Sequence, residues 1–444
     1  MRTHGWARRL ALALLVASGS PAAAQSTAPA AIDSWLSRDA IALTTVHPDS
    51  DLSDLEPMRS VLSEARIVGL GEASHGAREL FQMKHRLVRF LVSRMGFRVL
   101  AMELDYPAAR RINDYVLGRS ADTDFLLKVW DTEAVVALFD WLRQYNAGQP
   151  DSDKVRILGI DGQNRRTGAD SLAAYIRRVA PERAAETVAI LGDTTFPARL
   201  DSVRNTELQR GYVELYMFLR LNGARLINAS SAREYEAMCR LALAFVQPGY
   251  IYASDIDDRL SLTRRDSYMA EAIRREVARS GPGTRFILWA HNGHIEVGQD
   301  YFARLGLHLR GLYGAGYYAL GLTFGRGGIQ AWDRDLARAG RFALRRYRLA
   351  PAPSGSLEWY LARAGLERFV IDFRSAPELR EVAQWLATSH DMRGIGAVYG
   401  GDDDPAATAS RSPGRAFDGV LFVDSVTPAR PTARMRAAYP ASPD

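Results

Sequence analysis

The chain has 444 residues, of which 47% are hydrophobic, and its formal net charge is +6. A chain of this length and composition can bury a large core and suits one large domain or a domain with an insertion. Cys239 is the only cysteine, so a disulfide within the chain is excluded.

The chain begins with a pattern typical of a secretory signal peptide. Three arginines precede an apolar run at residues 10–17, and small residues then lead to Ala24. We expect residues 1–24 to be a cleaved leader and the mature protein to be periplasmic or secreted. The run is far shorter than the roughly 20 residues that a spanning helix needs, so no membrane span is expected in the mature chain. Loss of the three arginines lowers the net charge from +6 to +3, which does not indicate a nucleic-acid partner.

Residues 25–33 are rich in alanine and proline and are expected to form a linker. Beyond them, seven short apolar runs predict buried strands. Most of these runs lack an alternation of apolar and polar residues, as expected for strands that helices cover on both faces. The runs are residues 66–70, 98–102, 155–160, 286–289, 318–322, 369–371 and 420–423.

Helical patterns separate the strands. Apolar residues repeat at helical spacing over residues 80–95 and again over residues 135–145. Strands that alternate with helices predict an α/β fold with a central, mostly parallel sheet flanked by helices. We assign residues 34–161 and 285–426 to this core.

The stretch between the two parts of the core has no convincing strand. Residues 162–284 contain five helical patterns, and we expect a helical insertion over the carboxyl ends of the strands. Residues 427–444 are rich in proline, alanine and arginine, and this composition predicts a disordered tail.

Acidic residues and histidines follow four successive predicted strands. In an open parallel α/β sheet, ligands bind outside the carboxyl ends of the strands. We therefore expect these side chains to converge on one site. In chain order they are Glu72 and His75, then Glu103, then Asp161, and then His291 and His294.

A histidine backed by a carboxylate is a common general base near neutral pH. Glu72 is close enough along the chain to orient His75, and the pair His291 and His294 could donate hydrogen bonds to a developing oxyanion. Ser74 lacks the first glycine of a nucleophile elbow and is better interpreted as a helix cap. Attack by an activated water is therefore the simplest hydrolytic mechanism. The plainer alternatives are a helix-end charge for Glu72 and a capping role for His75.

Several motifs together resemble the erythromycin esterase family. They are Gly-Glu-Ala-Ser-His-Gly at residues 71–76, Phe-Gln-Met-Lys-His-Arg-Leu at 81–87, Trp-Asp-Thr-Glu at 130–133, Trp-Ala-His-Asn-Gly-His at 289–294, and Phe-Asp-Gly-Val-Leu-Phe-Val-Asp at 417–424. The resemblance spans nearly the whole mature chain, with the motifs in the family's order.

This resemblance implies an α/β hydrolase with a deep cleft that cleaves a carboxylic ester or a macrolide lactone, a small-molecule substrate, without a cofactor. It implies that His75 activates water with help from Glu72, and that His291 belongs to the same catalytic group. The residues expected to bind substrate or support the site are Glu103, His294, Lys84, Asp161 and Glu133. Lys84 stands where family members can have an arginine, and it keeps the charge without the two-pronged geometry.

Two other functions remain open from the residues alone. The pair His291 and His294 with a carboxylate could hold zinc and leave a position for water, which would give a metal-dependent hydrolase. A histidine-lined cleft could also serve a protein that binds haem or another small ligand without catalysis.

Overall fold

A computed structural model describes residues 27–125, 127–163, 168–193, 202–252, 257–298, 302–401, 404 and 407–439. The expected leader at residues 1–24 lies outside these ranges. The strands are β1 (Ile41–Ala42), β2 (Ile67–Leu70), β3 (Phe97–Asp105), β4 (Arg156–Asp161), β5 (Arg285–Trp289), β6 (Tyr317–Asp333), β7 (Leu344–Leu349), β8 (Arg368–Asp372), β9 (His390–Arg393), β10 (Val398–Tyr399), β11 (Thr408–Arg411) and β12 (Gly419–Val426).

The helices of the first half are α1 (Thr27–Asp39), α2 (Met58–Val61), α3 (Arg78–Met95), α4 (Tyr106–Val116), α5 (Glu133–Ala147), α6 (Ala169–Val179), α7 (Ala184–Gly192), α8 (Ser202–Leu221) and α9 (Gly223–Asn228). Those of the second half are α10 (Ala232–Ile251), α11 (Asp258–Arg279), α12 (Asn292–Ile295), α13 (Leu305–Tyr313), α14 (Arg334–Arg338), α15 (Leu357–Ala362), α16 (Arg380–Ala387), α17 (Pro413–Ala416) and α18 (Ala433–Ala438). Across the described ranges, no helix is both long and apolar enough to cross a membrane.

The centre of the fold is one mixed sheet, to which ten strands of the described chain belong. Its order is β1, β8, β12, β6, β2, β5, β3 and β4, and β7 and β10 also pair with β6. The strands from β12 to β4 run parallel to their neighbours, whereas β8 is antiparallel to β12. Each of the seven predicted apolar runs forms a strand. The α/β fold with a mostly parallel sheet flanked by helices is confirmed.

Side chains from successive residues of β2 explain why its sequence is uniformly apolar. Val68 packs on one face of the sheet in the same cluster as Phe81 of α3. Ile67 packs on the other face with Ile273 of α11. Because helices cover both faces, every residue of β2 is buried and the strand has no polar side.

The stretch between β4 and β5 is helical wherever the structure describes it. Helices α6 to α10 share a hydrophobic cluster of their own, which includes Ile176, Leu215 and Phe245. Helix α11 instead packs on the sheet through Met269 and Ile273. Its Arg265 reaches Glu103 near the carboxyl end of β3, whereas its Glu276 pairs with Arg156 at the start of β4, so α11 runs along the face of the sheet.

The linker predicted at residues 25–33 is wrong over its described part, because α1 begins at Thr27. Ile32, Trp35 and Leu36 repeat at helical spacing and are buried. Trp35 also packs edge-on against Trp385 of α16. Tertiary packing of this apolar stripe therefore decides the conformation, which composition alone did not indicate.

The disordered tail predicted at residues 427–444 is also wrong over residues 427–439, and residues 440–444 lie outside the described chain. Helix α18 forms there with Thr432 as its N-cap, and Met435 is buried. The guanidinium of Arg434 makes two hydrogen bonds to the carboxylate of Asp131. Pairing with distant residues, which a local composition does not report, orders this segment.

Candidate active site

The loop that follows β2 carries Glu72 and His75 and is fixed by its glycines. A Cβ atom on Gly71 would lie 2.0 Å from Oδ1 of Asn292, and one on Gly76 would lie 1.7 Å from the carbonyl oxygen of Gln330. Only glycine fits these close approaches. The loop is thereby held between the segment that follows β5 and the strand β6 itself.

Glu72 is a fully buried carboxylate that three side chains contact. Its Oε1 lies 2.9 Å from Nδ1 of His75 and accepts a hydrogen bond of 3.0 Å from the indole nitrogen of Trp130. Its Oε2 accepts a hydrogen bond from Nζ of Lys84. A buried carboxylate requires such donors and an opposite charge, because it has lost its water.

The contact with Glu72 assigns the tautomer of His75. An ionised carboxylate accepts hydrogen bonds and cannot donate them, so Nδ1 of His75 carries the proton. Nε2 then keeps its lone pair. The side chain of His75 is 10% exposed, which leaves the ring within reach of solvent at the edge of the site. The indole nitrogen of Trp130 also lies 3.1 Å from Nδ1 of His75, and the two rings pack edge-on.

Lys84, on α3, is the cationic partner of Glu72 and is completely buried. Burial lowers the pKa of Lys84 to about 8, although the charges of Glu72 and Glu103 act in the opposite direction. Its Nζ also lies 4.0 Å from the ring centroid of Trp289, a cation–π distance. Near neutral pH Lys84 is therefore protonated and supplies the counter-charge inside the protein.

His291 follows β5 and faces His75, with the two ring centroids 5.0 Å apart. Its Nδ1 accepts a hydrogen bond of 3.1 Å from the backbone N–H of Gly293, so the proton of the neutral ring lies on Nε2. Burial and the neighbouring His75 hold the pKa of His291 well below its usual value. Among the described residues, no well-aligned hydrogen bond reaches its buried Nε2, although an interaction with the backbone of Ile395 acts to raise the pKa of His291. The neutral ring therefore presents an N–H donor beside His75.

A second group of charges lies beside this pair and is centred on Arg265 of α11. Its guanidinium donates to Glu103 at 2.6 Å and to both oxygens of Asp161, at 2.8 and 3.1 Å. The other oxygen of Glu103 accepts the backbone N–H of His291 at 3.0 Å. Arg265 thus connects the ends of β3 and β4 to the His291 loop.

His294 belongs to this second group and differs from His291 in charge. Its Nδ1 lies 2.7 Å from Asp266 and its Nε2 lies 3.2 Å from Glu103. Burial alone would lower the pKa of His294, but the charges of Asp266 and Glu103 raise it to about 10. Arg265 approaches the same Nε2 at 2.9 Å, so two cations share the Glu103 carboxylate. Burial would raise the pKa of Glu103, yet His294 and Arg265 hold it well below its usual value.

Seven of the eight predicted site residues come together in these two groups, and Glu133 does not. Its side chain is 54% exposed, and the cation nearest to it is Arg436 at 3.9 Å. Thr132 caps α5 through its side chain, so that Glu133 occupies the first turn of the helix and faces outward. The prediction that Glu133 supports the site is wrong on geometry.

Three residues of the site were not predicted as such. Trp130 was interpreted only within a sequence motif, and Arg265 and Asp266 were not singled out. A signal for Arg265 was present, because it continues the buried stripe of Met269 and Ile273 at intervals of four residues. A charged residue on the apolar stripe of a helix indicates a buried ion pair.

A cavity of about 150 Å³ lies between β4 and helices α4, α10 and α11, and its lining includes Asp161, Tyr106 and Tyr268 but not His75. The candidate active site is therefore defined by the hydrogen bonds around His75 and not by this cavity. Within the described ranges, no group of three or more histidine, cysteine, aspartate or glutamate side chains is placed to hold a metal ion.

Comparison of the chain with known proteins identifies a family that it matches. Residues 92–426 match the family model of erythromycin esterase. An erythromycin esterase type II of Escherichia coli is 24% identical over 379 residues, which cover 78% of this chain and 90% of the relative. A putative hydrolase of Bacillus subtilis (strain 168), YbfO, is 25% identical over 432 residues, which cover 89% of this chain and 91% of the relative. A solved structure of a mutant erythromycin esterase in its open conformation has the same fold, with a TM-score of 0.67, 19% identity and coverage of 87% of this chain and 97% of that one.

Proposed function

The chain belongs to the erythromycin esterase family, and from that premise we propose that it is a hydrolase that cleaves a carboxylic ester or lactone with water activated by His75. The observation that carries this proposal is the contact of 2.9 Å between Glu72 and Nδ1 of His75. It leaves Nε2 as a base on a ring that solvent can reach.

The geometry supports a direct attack by water. Nε2 of His75 removes a proton from the water as its oxygen attacks the ester carbonyl, and the resulting tetrahedral intermediate carries an oxyanion. The alcohol oxygen then leaves and takes the proton from the His75 imidazolium. Water and ester become a carboxylic acid and an alcohol, or a ring-opened hydroxy acid when the substrate is a lactone. General base catalysis of this kind typically contributes about 10²–10⁴-fold in rate.

The two groups of charges would have different tasks in this reaction. Glu72 stabilises the imidazolium form of His75, and Lys84 balances the charge of Glu72, which is buried away from water. The Nε2–H of His291, whose ring faces His75 at 5.0 Å, is the proposed donor to the oxyanion. Arg265 and Glu103 hold the His291 loop through the backbone N–H of His291.

The contacts of His294 favour this mechanism over a metal-dependent one. Nδ1 of His294 faces the carboxylate of Asp266 and its Nε2 faces that of Glu103. A guanidinium nitrogen of Arg265 also lies 2.9 Å from Nε2, so a metal ion on that nitrogen would meet a positive charge. The pair His291 and His294 is therefore better suited to hydrogen bonding than to holding zinc.

We also propose export, on the basis of the signal-peptide pattern at residues 1–24. Mass spectrometry of the protein recovered from a periplasmic extract would test it. A mature chain that begins at Gln25 is the expected result, and an intact leader on all of the protein would contradict it.

The test of function is an incubation of residues 25–444 with macrolides, simple lactones and aryl esters, with products followed by mass spectrometry. A His75→Ala variant, checked by circular dichroism for an intact fold, is the matched control. A gain of one water that is absent in the control is the expected result. Equal turnover by both proteins would remove His75 as the base. No turnover by the wild-type protein would move support to a ligand-binding function, which absorption spectra with added haem would then examine.

A further inference from the structure

The C-terminal strap, defined as residues 427–439, runs beside the loop that carries His75. The backbone N–H of Ala429 donates to the carbonyl of Gly76 at 2.8 Å, directly after His75. The carboxylate of Glu79 accepts the backbone N–H of Thr427 at 2.6 Å and its hydroxyl at 2.7 Å. The start of the strap is therefore attached to the His75 loop and to the beginning of α3.

The rest of the strap is attached to the segment that carries Trp130. The backbone N–H of Glu133 donates to the carbonyl of Arg430 at 2.9 Å, and that of Thr432 donates to the carbonyl of Asp131 at 3.0 Å. The guanidinium of Arg434 holds the carboxylate of Asp131 in a two-pronged pair at 2.9 and 3.0 Å. Such charge-assisted pairs fix orientation as well as distance.

Trp130 is buried in the main hydrophobic cluster but lies outside the long helices and strands. It ends a short 3-10 turn, Lys128–Trp130, in the long connection between α4 and α5. Its indole nitrogen nevertheless contacts both Glu72 and His75. The side chain of the next residue, Asp131, is only 6% exposed, whereas that of its partner Arg434 is 36% exposed.

We propose that the C-terminal strap positions Trp130 against Glu72, through the pair of Arg434 with Asp131, and so holds His75 in its reactive orientation. The inference rests on the proposed role of His75 as general base. Arg434 is then a positioning residue that touches no substrate. The strap contacts both the His75 loop and the segment that carries Trp130. It therefore fixes the distance between His75 and Trp130, which both contact Glu72.

The test compares Arg434→Gln with Arg430→Gln in the full mature chain. Arg430 lies in the same strap, but its side chain is exposed and only its backbone contacts Glu133. We expect Arg434→Gln to lower kcat about 10-fold with KM nearly unchanged, since small misplacements of reacting groups are costly. Arg430→Gln should retain the wild-type kcat.

A second measurement does not require turnover. In protein labelled with ¹⁵N-tryptophan, the indole N–H signal of Trp130, identified by its loss in Trp130→Phe, should move in Arg434→Gln and stay in place in Arg430→Gln. Trp130→Phe combined with Arg434→Gln should lose no more kcat than Trp130→Phe alone, because both act on one contact. If Arg434→Gln fails to fold, Arg434→Lys takes its place, because it keeps the positive charge but loses the two-pronged pair with Asp131.

A wild-type indole signal together with a wild-type kcat in a folded Arg434→Gln protein would overturn the proposal. Absence of ester or lactone hydrolysis by the wild-type protein would remove the proposed function instead. The indole signal would still report whether the strap positions Trp130, so the two failures can be told apart.

Discussion

The indole nitrogen of Trp130 lies 3.0 Å from Oε1 of Glu72, the same oxygen that contacts His75 at 2.9 Å. The other oxygen of Glu72 is occupied by Lys84. Both oxygens of this buried carboxylate are thus in contact with hydrogen-bond donors. Glu72 cannot rotate without breaking its contact with His75.

Replacement of Trp130 by phenylalanine removes one donor and keeps an aromatic ring of similar shape. We expect kcat to fall roughly 10-fold, because Glu72 loses a hydrogen bond that holds it against His75. Steady-state kinetics with the best ester of the panel measure this change. Trp359→Phe, at a site on α15, is the matched control, and an equal loss in both variants would show that the effect is not specific to Glu72.

Lys84→Met removes the buried cation beside Glu72. Breaking a buried ion pair on one side leaves the other charge uncompensated, so we expect the free energy of unfolding to fall by about 3–5 kcal/mol. Urea denaturation followed by circular dichroism provides the value. Lys154→Met is the control, because Lys154 pairs only with the exposed Asp151. Equal stability of Lys84→Met and the wild type would mean that Glu72 is satisfied without Lys84.

The stability contributed by His294 should depend on pH in a defined direction. Its folded pKa of about 10 lies above the ordinary value of 6.5. The stabilisation is therefore complete below pH 6.5 and is lost as the pH rises towards 10. The difference in unfolding free energy between the wild type and His294→Gln should shrink by roughly 3–5 kcal/mol across this range. The pKa of Lys84 is lowered, so its contribution to stability changes with pH in the opposite direction. Because both proteins contain Lys84, this contribution cancels in the difference.

Urea titrations at intervals of pH between 6 and about 10 measure that difference. His47→Gln, at an exposed position, serves as the control and should remain parallel to the wild type. A gap between wild type and His294→Gln that stays constant with pH would contradict a raised pKa for His294.

His291→Asn separates the two contacts of His291. Asparagine is a good N-cap, so it can still accept the N–H of Gly293, but its shorter side chain cannot place a donor where Nε2 lies. We expect kcat to fall about 10²–10³-fold, the usual cost of losing an oxyanion donor, while KM changes little. A variant that keeps wild-type kcat would exclude His291 from stabilising the oxyanion.

The strands and most of the site could be predicted because they depend on local patterns. Apolar runs such as residues 286–289 are short, bounded and buried on both faces, and the position of a polar residue after such a run places it at one edge of the sheet. Glu72, Glu103 and His291 converge for this reason. Short strands such as β7, with three arginines, were missed because they carry no apolar run.

The remaining errors concern contacts between distant residues. Arg265 continues the apolar stripe of α11, which marks it as buried, but its partners Glu103 and Asp161 lie 162 and 104 residues earlier in the chain. The segment from Thr427 to Tyr439 has the composition of a disordered tail. Its Arg434 nevertheless pairs with the carboxylate of Asp131, 303 residues earlier in the chain. The expectation for Glu133 came from its place in a family motif. Glu133 lies in the first turn of α5, however, and its side chain faces outward.

The place of β2 in the sheet has a consequence for when activity can arise during synthesis. Both of its neighbours, β5 and β6, are encoded more than 200 residues downstream, at Arg285–Trp289 and Tyr317–Asp333. A ribosome that has finished β2 and α3 has made Glu72, His75 and Lys84 but none of the strands that hold them in register. The growing chain therefore contains the proposed general base for most of translation without the strands that position it, and the candidate site can form only after β6 has been made and paired.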